Sequence, residues 1–207
     1  MGNDGKLVGQ NALIAGCSNP IGLAAAKLLA SEGCQLHMAD LNEPELSHNV
    51  EEIRKLYKVG VEGHLADLSE PINIAVLALE CQQINILINT LGTPIKGDID
   101  KLEYEDWKTS FELTLFASIN LTSEVIESLS EQEKGIIINV GGVIDEINER
   151  NLCIVSVNAA LKAFSENLDR KTKLDCVRVL SYLPQGNISP EEHAAALYRL
   201  ILEKFIF

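Results

Sequence analysis

Residues 11–22 read NALIAGCSNPIG, a short apolar run followed at once by a turn of glycine, serine, asparagine and proline. The run Asn11–Ala15 predicts a buried strand, and the alanine- and leucine-rich segment Ile21–Ser31 predicts a helix. Glycines at positions 16 and 22 allow a tight turn and close packing of helix on strand. Such a unit can point a helix N-terminus at a pyrophosphate. An ordinary strand-to-helix connection has the same pattern, so both interpretations remain open here.

Short apolar runs and longer amphipathic segments alternate along all 207 residues, with no linker and no internal repeat. The other predicted strands are Cys34–Ala39, Val61–Ala66, Ile84–Ile88, Gly135–Val140 and Cys176–Ser181. The other predicted helices are Pro44–Lys58, Pro71–Gln82, Tyr104–Leu129, Asn151–Leu168 and Ser189–Lys204. Nearly uncharged strands indicate helices on both faces of the sheet. We therefore expect an α/β fold in which residues 1–207 form a single domain, with a Rossmann-like, doubly wound parallel sheet of about six to seven strands.

The charge balance argues against two classes of partner. Seventeen basic residues against 30 acidic ones give a net charge of −13. A surface this acidic repels phosphate backbones and anionic membranes, so we expect neither nucleic acid nor a membrane as partner. No apolar stretch is long enough for a transmembrane helix, and the N-terminus does not resemble a signal peptide.

The cysteines and histidines predict neither disulfides nor a metal. The five cysteines are scattered in apolar contexts without a C-x-x-C pair: Cys17, Cys34, Cys81, Cys153 and Cys176. The four histidines show no ligand spacing: His37, His48, His64 and His193. We interpret the cysteines as reduced core thiols of a cytoplasmic protein, and we expect no metal site.

A carboxylate ends the second predicted strand. Ligands of open α/β sheets bind at the carboxyl ends of the strands, and an acid about 20 residues beyond the glycines can bind the adenosine ribose there. Asp40 occupies that position. Its charge would also repel a 2′-phosphate, which favours NAD and disfavours NADP. A solvent-exposed turn acid is the simpler alternative.

Several further motifs follow in a recognisable order. They are Ala15–Gly22 at the glycine turn, Asp67–Leu68, Asn89–Gly92, Asn139–Val140, Ala159–Leu161 with Phe164, and Val177–Val179 with Pro184. Together they resemble the motifs of the short-chain dehydrogenase/reductase family over nearly the whole chain. The resemblance implies a nicotinamide dinucleotide at Gly16, Ser18, Asn19, Ile21, Gly22, Asp40, Asp67, Leu68, Asn89 and Gly92. Pro20 replaces the central glycine of the motif and has no N–H for a phosphate, which weakens binding, although the N–H of Ile21 is expected to stay available.

The chain departs from the family where the chemistry should lie. The family uses a tyrosine as general acid/base, a lysine that lowers its pKa, a serine that holds the carbonyl and an asparagine in a proton relay. The positions of asparagine, serine, tyrosine and lysine correspond to Thr114, Gly142, Ile154 and Asn158. None of these four can replace the family's group, so no catalytic residue is predicted. Other groups near the cleft could serve a divergent enzyme: Cys153, Ser156, Asp145 and Tyr182.

The segment after Pro184 is also shorter than the resemblance implies. Family members insert a loop and helices that close over the substrate, whereas here Gln185–Ile188 leads directly into the last predicted helix. Family members also associate through two helices, which correspond to 104–129 and 151–168. We therefore expect a homo-oligomer or a subunit of a hetero-oligomer.

Three functions remain open at this point. One is a non-catalytic protein of this fold that binds NAD(H) or has a structural or regulatory role. Another is an atypical NAD-dependent oxidoreductase that acts on a small alcohol or carbonyl with other catalytic groups. The third is an interaction protein without a ligand.

Overall fold

The computed structural model describes residues 5–92, 95–132, 134–144, 149–172, 176–186 and 188–206. Six parallel strands lie in the order β3-β2-β1-β4-β5-β6. Their bounds are β1 Asn11–Ala15, β2 Gln35–Asp40, β3 Val61–Leu65, β4 Ile86–Asn89, β5 Gly135–Val140 and β6 Val177–Tyr182. The order reverses between β1 and β4, which creates the crevice at which such sheets bind ligands.

Helices cover both faces, as the sequence predicted. Their bounds are α1 Pro20–Ser31, α2 Glu43–Leu56, α3 Pro71–Glu80, α4 Tyr104–Ser110, α5 Ala117–Glu131, α6 Leu152–Thr172 and α7 Pro190–Ile201. Side chains of α1, α2 and α7 form the core on one face, and those of α3 and α5 form the core on the other. Within β1, Ala12 and Ile14 point to the first core while Leu13 and Ala15 point to the second, because successive side chains alternate across a strand.

Local sequence explains where the main helices begin. Asn19, Asn42 and Ser189 each accept a hydrogen bond from a first-turn N–H, and a proline follows each of them in the first turn. These caps fix the turns that connect strands to helices, including the turn after β1. No helix in the described part of the chain is both long and apolar enough to cross a membrane.

The structure departs from the sequence predictions in three places. The predicted helix Tyr104–Leu129 contains a π-helical turn at Phe111–Phe116, between α4 and α5. Strand β3 lies at the sheet edge with Glu62 and Leu65 exposed, so it is not covered on both faces. Cys176 is exposed rather than in the core, while the other four cysteines are buried.

Candidate functional site

A cavity of about 340 Å³ opens at the carboxyl ends of β1, β2, β3 and β4. This volume falls within the range of small-molecule sites, about 300–1,000 Å³. Seven of the ten residues predicted to bind a cofactor line it: Gly16, Ser18, Asn19, Asp40, Asp67, Leu68 and Gly92. These seven are among the sixteen residues that line the cavity.

Asp40 joins two of the loops that form the cavity. Its Oδ2 accepts a hydrogen bond from the Ser18 N–H at 2.8 Å, and its Oδ1 accepts one from the Asn42 N–H at 3.1 Å. A carboxylate offers about four lone-pair positions, so capacity remains for ribose hydroxyls. Asp40 is thus both a structural link and a candidate ligand-binding group.

Two more polar residues line the cavity. The hydroxyl of Ser18 is buried and has no hydrogen-bond partner, which is unusual for a buried polar atom. Across the cavity, Asp67 accepts hydrogen bonds from the hydroxyl and N–H of Ser69 at 2.6 and 3.0 Å. These bonds lower the pKa of Asp67, so its carboxylate is charged at neutral pH. A polar ligand would find an unsatisfied hydroxyl and two carboxylates here.

The backbone of the glycine turn is already hydrogen-bonded. Gly16 and Cys17 donate their N–H groups to the carbonyl of Ala39, and Ser18 donates to Asp40. The prediction that the N–H of Ile21 stays available is wrong, because it donates to Oδ1 of Asn19 at 2.9 Å. Asparagine is a strong N-cap, and its side chain satisfies the first N–H after Pro20. A diphosphate at this turn would have to displace that cap.

Three predicted cofactor residues, Ile21, Gly22 and Asn89, do not line this cavity. Asn89 is fully buried, and its Nδ2 donates to Oδ1 of Asn139 at 2.8 Å. Nδ2 of Asn139 in turn donates to Oγ of Ser165 at 3.0 Å. This relay joins β4, β5 and α6, so the structure gives Asn89 a role in the core. Gly22 is buried as well, and a Cβ there would lie 2.5 Å from Oγ1 of Thr90.

Thr90 is a site residue that the sequence analysis did not single out. It is buried, and its hydroxyl lies 2.9 Å from the carbonyl oxygens of both Ala15 and Gly16. It therefore locks the end of β1 to the residue after β4. Its position within the motif Asn89–Gly92 was the signal that could have identified it, because a single threonine has no distinctive sequence pattern.

A second, smaller cavity of about 70 Å³ lies beside the first. Three of the four positions expected to carry catalytic groups line it, namely Thr114, Gly142 and Ile154, together with Ile21. Thr114 lies within the π-helical turn Phe111–Phe116, a backbone irregularity that occurs frequently at functional sites. No residue pattern indicated this turn. The three positions thus line one cavity, and none of them carries an ionisable side chain.

Asn158 closes this region from the side of α6. Its Oδ1 accepts the N–H of Gly142 and its Nδ2 donates to the carbonyl of Gly142, both at 2.9 Å. The amide therefore holds the backbone of one expected catalytic position with the side chain of another. Asn158 is only 2% exposed. We call this paired hydrogen bond the Asn158 clamp.

Ile154 fills the space in front of Gly142. A Cβ built on Gly142 would lie 3.0 Å from Cγ2 of Ile154, which is tighter than ordinary contact. A serine at 142 would therefore crowd the isoleucine. The three residues are sterically compatible: Ile154 occupies the space beside Gly142, and Asn158 bonds to the Gly142 backbone. None of them carries a proton-transfer group.

The alternative catalytic groups do not gather at this cavity. Cys153 is buried, with its Sγ 3.9 Å from the carbonyl of Asp106, and Ser156 is exposed. Tyr182 places its hydroxyl 2.8 Å from Nδ1 of His193 on α7, and burial raises the pKa of this tyrosine. Asp145 lies outside the described residues. None of the three described groups is among the residues that line either cavity.

Comparison with protein families gives a match over most of the chain. Residues 10–193 match the family model for short chain dehydrogenases. An oxidoreductase of Staphylococcus saprophyticus, itself uncharacterized, is 23% identical over 178 residues, covering 84% of this chain and 76% of the relative. A short chain dehydrogenase of Pseudocercospora fijiensis is 29% identical over 195 residues, covering 90% of this chain. The match spans only 62% of that fungal protein.

Solved structures share the fold. A metagenomic short-chain oxidoreductase, solved in complex with NADP, superposes with a TM-score of 0.83 at 21% identity. The match covers 94% of this chain and 91% of the other. At this identity the likeness supports the architecture of the sheet and its helices.

Proposed function

Because the chain belongs to the short-chain dehydrogenase family, we propose that it binds NAD(H) without carrying out hydride transfer, as a regulatory or structural protein. The observation that carries this proposal is the Asn158 clamp. Asn158 and Gly142, at the positions of the family's lysine and serine, bond to each other rather than facing a substrate. The members matched are named oxidoreductases or dehydrogenases, so the absence of turnover is the specific claim.

The lack of a proton-transfer group supports the non-catalytic role. A carbonyl reduction requires a general acid beside the substrate oxygen. Thr114, Gly142 and Ile154 line the small cavity and offer a neutral hydroxyl, no side chain and an alkyl group. The connection 183–189 between β6 and α7 is short. It leaves little chain to close over a substrate.

The residues present fit the adenosine half of a nicotinamide dinucleotide. The larger cavity offers the Asp40 carboxylate, the unpartnered hydroxyl of Ser18 and the apolar side chain of Leu68. Such a cofactor supplies hydride transfer when bound. The diphosphate half fits less well, because Pro20 has no N–H and the Ile21 N–H is capped by Asn19. We therefore infer binding that depends mainly on the adenosine end.

Asp40 supports a preference for NAD(H) over NADP(H). A 2′-phosphate would carry negative charge toward the Asp40 carboxylate, and Asp67 adds a second charge on the cavity wall. The bound NADP of the metagenomic protein supports a nicotinamide dinucleotide as the class of ligand. The choice between NAD and NADP rests on this chain's own carboxylates.

Calorimetric titration of NAD⁺, NADH, NADP⁺ and NADPH tests the ligand. We expect NAD(H) to bind and NADP(H) to bind at least about 10-fold more weakly, equivalent to about 1.4 kcal/mol. Asp40→Asn should weaken NAD(H) binding by about 10-fold and reduce the preference, because an amide offers one acceptor oxygen where the carboxylate uses two. Asp100→Asn is the matched control, since Asp100 is 68% exposed and pairs with Lys101 outside the cavity.

Turnover assays separate this proposal from an atypical oxidoreductase. With NAD(H) at saturating concentration, a panel of small alcohols and carbonyls should give no rate above the cofactor blank. Turnover that disappears in Tyr182→Phe or Cys153→Ala would overturn the non-catalytic role and establish the enzyme. Equal binding of all four nucleotides, or none, would instead contradict the role given to Asp40.

We also propose that the chain associates with itself or a related subunit through α4, α5 and α6. Phe116, at the end of the π-helical turn between α4 and α5, is 50% exposed, and Val155 on α6 is 42% exposed, although both are large apolar side chains. Phe116→Glu combined with Val155→Glu should lower the mass measured by light scattering to that of one chain. Ile72→Glu is the control, because Ile72 is 70% exposed on α3. A wild-type protein that is already monomeric would contradict this proposal.

The cysteines support a cytoplasmic location within the same proposal. All five are free, and burial raises the pKa values of Cys17, Cys34 and Cys81 to about 12. Unpaired thiols of this kind are typical of reducing compartments.

A further inference from the structure

Two histidines and a cysteine come together at the sheet edge, and none of them lines the larger cavity. His37 lies on β2, His64 lies on the adjacent edge strand β3, and Cys81 directly follows α3. One potential ligand atom from each residue lies within 4.8 Å of the others. The residues are separated by 27 and 17 positions, so their spacing predicted no metal site. The register of β2 with β3 pairs His37 with Glu62 and so places His64 on the same face, while Cys81 comes in from the end of α3.

The distances within this cluster approach those of a tetrahedral metal site. Nδ1 of His37 lies 3.0 Å from Nε2 of His64, and Sγ of Cys81 lies 3.9 Å from the same Nε2. Zinc bonds of about 2.0–2.1 Å to nitrogen and 2.3 Å to sulfur would require about 3.3 Å and 3.6 Å between these atoms. The third pair, between His37 and Cys81, lies within 4.8 Å. Small side-chain movements would therefore bring all three ligand atoms around one ion.

A carboxylate orients one of the histidines for this role. Nδ1 of His64 donates to Oε2 of Glu80 at 2.8 Å, since a carboxylate can only accept. In neutral His64 this bond leaves the lone pair on Nε2, which points toward His37 and Cys81. A carboxylate behind a ligating imidazole is a recurring feature of zinc sites, because it fixes the tautomer and raises the basicity of the ring.

A carboxylate lies beside His37, and a movement of its exposed side chain would bring it to the other ligands. Oε2 of Glu62 lies 3.8 Å from Nδ1 of His37, and the Glu62 side chain is 69% exposed. Glu62 and His64 are two positions apart on β3, so they share a face of the strand. We propose that His37, His64, Cys81 and Glu62 form a zinc site, with Glu80 as the positioning residue of His64. Two imidazoles, a thiolate and a carboxylate suit Zn²⁺ rather than hard cations such as Mg²⁺ or Ca²⁺.

The surroundings suit such a site. A surface groove of about 300 Å³, lined by His64, Glu80 and Asn73, gives the ion access from solvent. The ion would join β2, β3 and the end of α3, where β3 has no neighbour on its outer side.

Metal titration of the chelator-treated, reduced full chain tests the proposal. Zn²⁺ should bind at one ion per chain in competition with a chromogenic chelator and should raise the melting temperature. Co²⁺ in place of Zn²⁺ should give visible bands of a tetrahedral site and a near-ultraviolet thiolate-to-cobalt band. Mg²⁺ and Ca²⁺ at the same concentrations should neither compete with the chelator for this site nor raise the melting temperature.

Matched variants distinguish this site from casual binding by a surface thiol. Cys81→Ser should remove the thiolate-to-cobalt band and weaken Zn²⁺ binding by at least about 100-fold. Glu80→Gln should keep the band but weaken Zn²⁺ binding by about 10- to 100-fold. Cys176→Ser removes the exposed thiol and should change nothing. His64→Gln gives a second test if Cys81→Ser does not fold by circular dichroism. Three results would overturn the proposal. They are an unchanged thiolate-to-cobalt band in Cys81→Ser, loss of that band in Cys176→Ser, and no stoichiometric Zn²⁺ binding by the wild type.

Discussion

Replacing Asn158 with alanine should lower the free energy of unfolding by about 2–4 kcal/mol. The substitution removes both hydrogen bonds of the Asn158 clamp and leaves the N–H and carbonyl of Gly142 without their partners. An unsatisfied, largely buried polar group costs about 1–3 kcal/mol, and Asn158 itself is 2% exposed. Urea denaturation with an unchanged m-value measures the difference.

A second asparagine on the same helix provides the control. Asn167 on α6 is exposed and donates from Nδ2 to the carbonyl of Ala163, so Asn167→Ala should change stability by no more than about 0.5 kcal/mol. Asn158→Asp should lie between wild type and Asn158→Ala, since it keeps an acceptor for the Gly142 N–H and loses the donor. Equal effects of Asn158→Ala and Asn167→Ala would contradict the clamp and remove the main support for the proposed function.

Replacing Gly16 with alanine should cost about 2–4 kcal/mol of stability and deform the dinucleotide cavity. Gly16 has φ +82°, and a Cβ there would lie 2.7 Å from the carbonyl oxygen of Thr90. A left-handed conformation costs a residue with a side chain about 1–2 kcal/mol, and the collision with backbone adds to it. Chemical denaturation and NAD(H) titration of the same variant measure both effects.

Gly9 separates these two contributions. Its φ is +81°, nearly that of Gly16, but nothing lies within 4 Å of a Cβ built on it. Gly9→Ala should therefore show the conformational cost alone, about 1–2 kcal/mol, with NAD(H) binding unchanged. If Gly9→Ala and Gly16→Ala lose the same stability, the close approach of Thr90 to the glycine turn has no energetic role.

The two substitutions concern opposite halves of the site. Gly16 lines the cavity that we propose for the nucleotide, and Asn158 holds a position at which the family's catalytic groups are replaced. A variant that restored only one of the family's catalytic residues would place it among side chains that differ from the family's as well. Ile154 lies too close to Gly142 for an added side chain, and Gly142 is in turn held by Asn158.

Much of the fold could be predicted because its cause is local. The strand Asn11–Ala15, the strand Gly135–Val140 and the N-cap of α7 at Ser189 follow from hydrophobic runs and capping chemistry within a few residues. Asp40 could be placed at the cavity for a related reason, since the carboxyl end of β2 is fixed by the strand itself. These predictions need no knowledge of which segments are neighbours in space.

Other features depend on neighbours that the chain order does not reveal. The cap on the Ile21 N–H depends on a choice of side-chain conformation at Asn19, and the burial of Asn89 depends on Asn139, fifty residues later. The π-helical turn at Phe111–Phe116 is a shift in backbone hydrogen bonding with no residue pattern of its own.

The sequence by itself determined the alternation of strands and helices and the family, and it predicted seven of the sixteen residues that line the larger cavity, because these depend on local periodicity and on motifs a few residues long. Only the tertiary structure decided that Asn158 holds Gly142 and that His37, His64 and Cys81 share one corner of the sheet. The physical reason is the same in both cases. Parallel strands are joined by long crossovers, so side chains that contact one another come from segments widely separated along the chain.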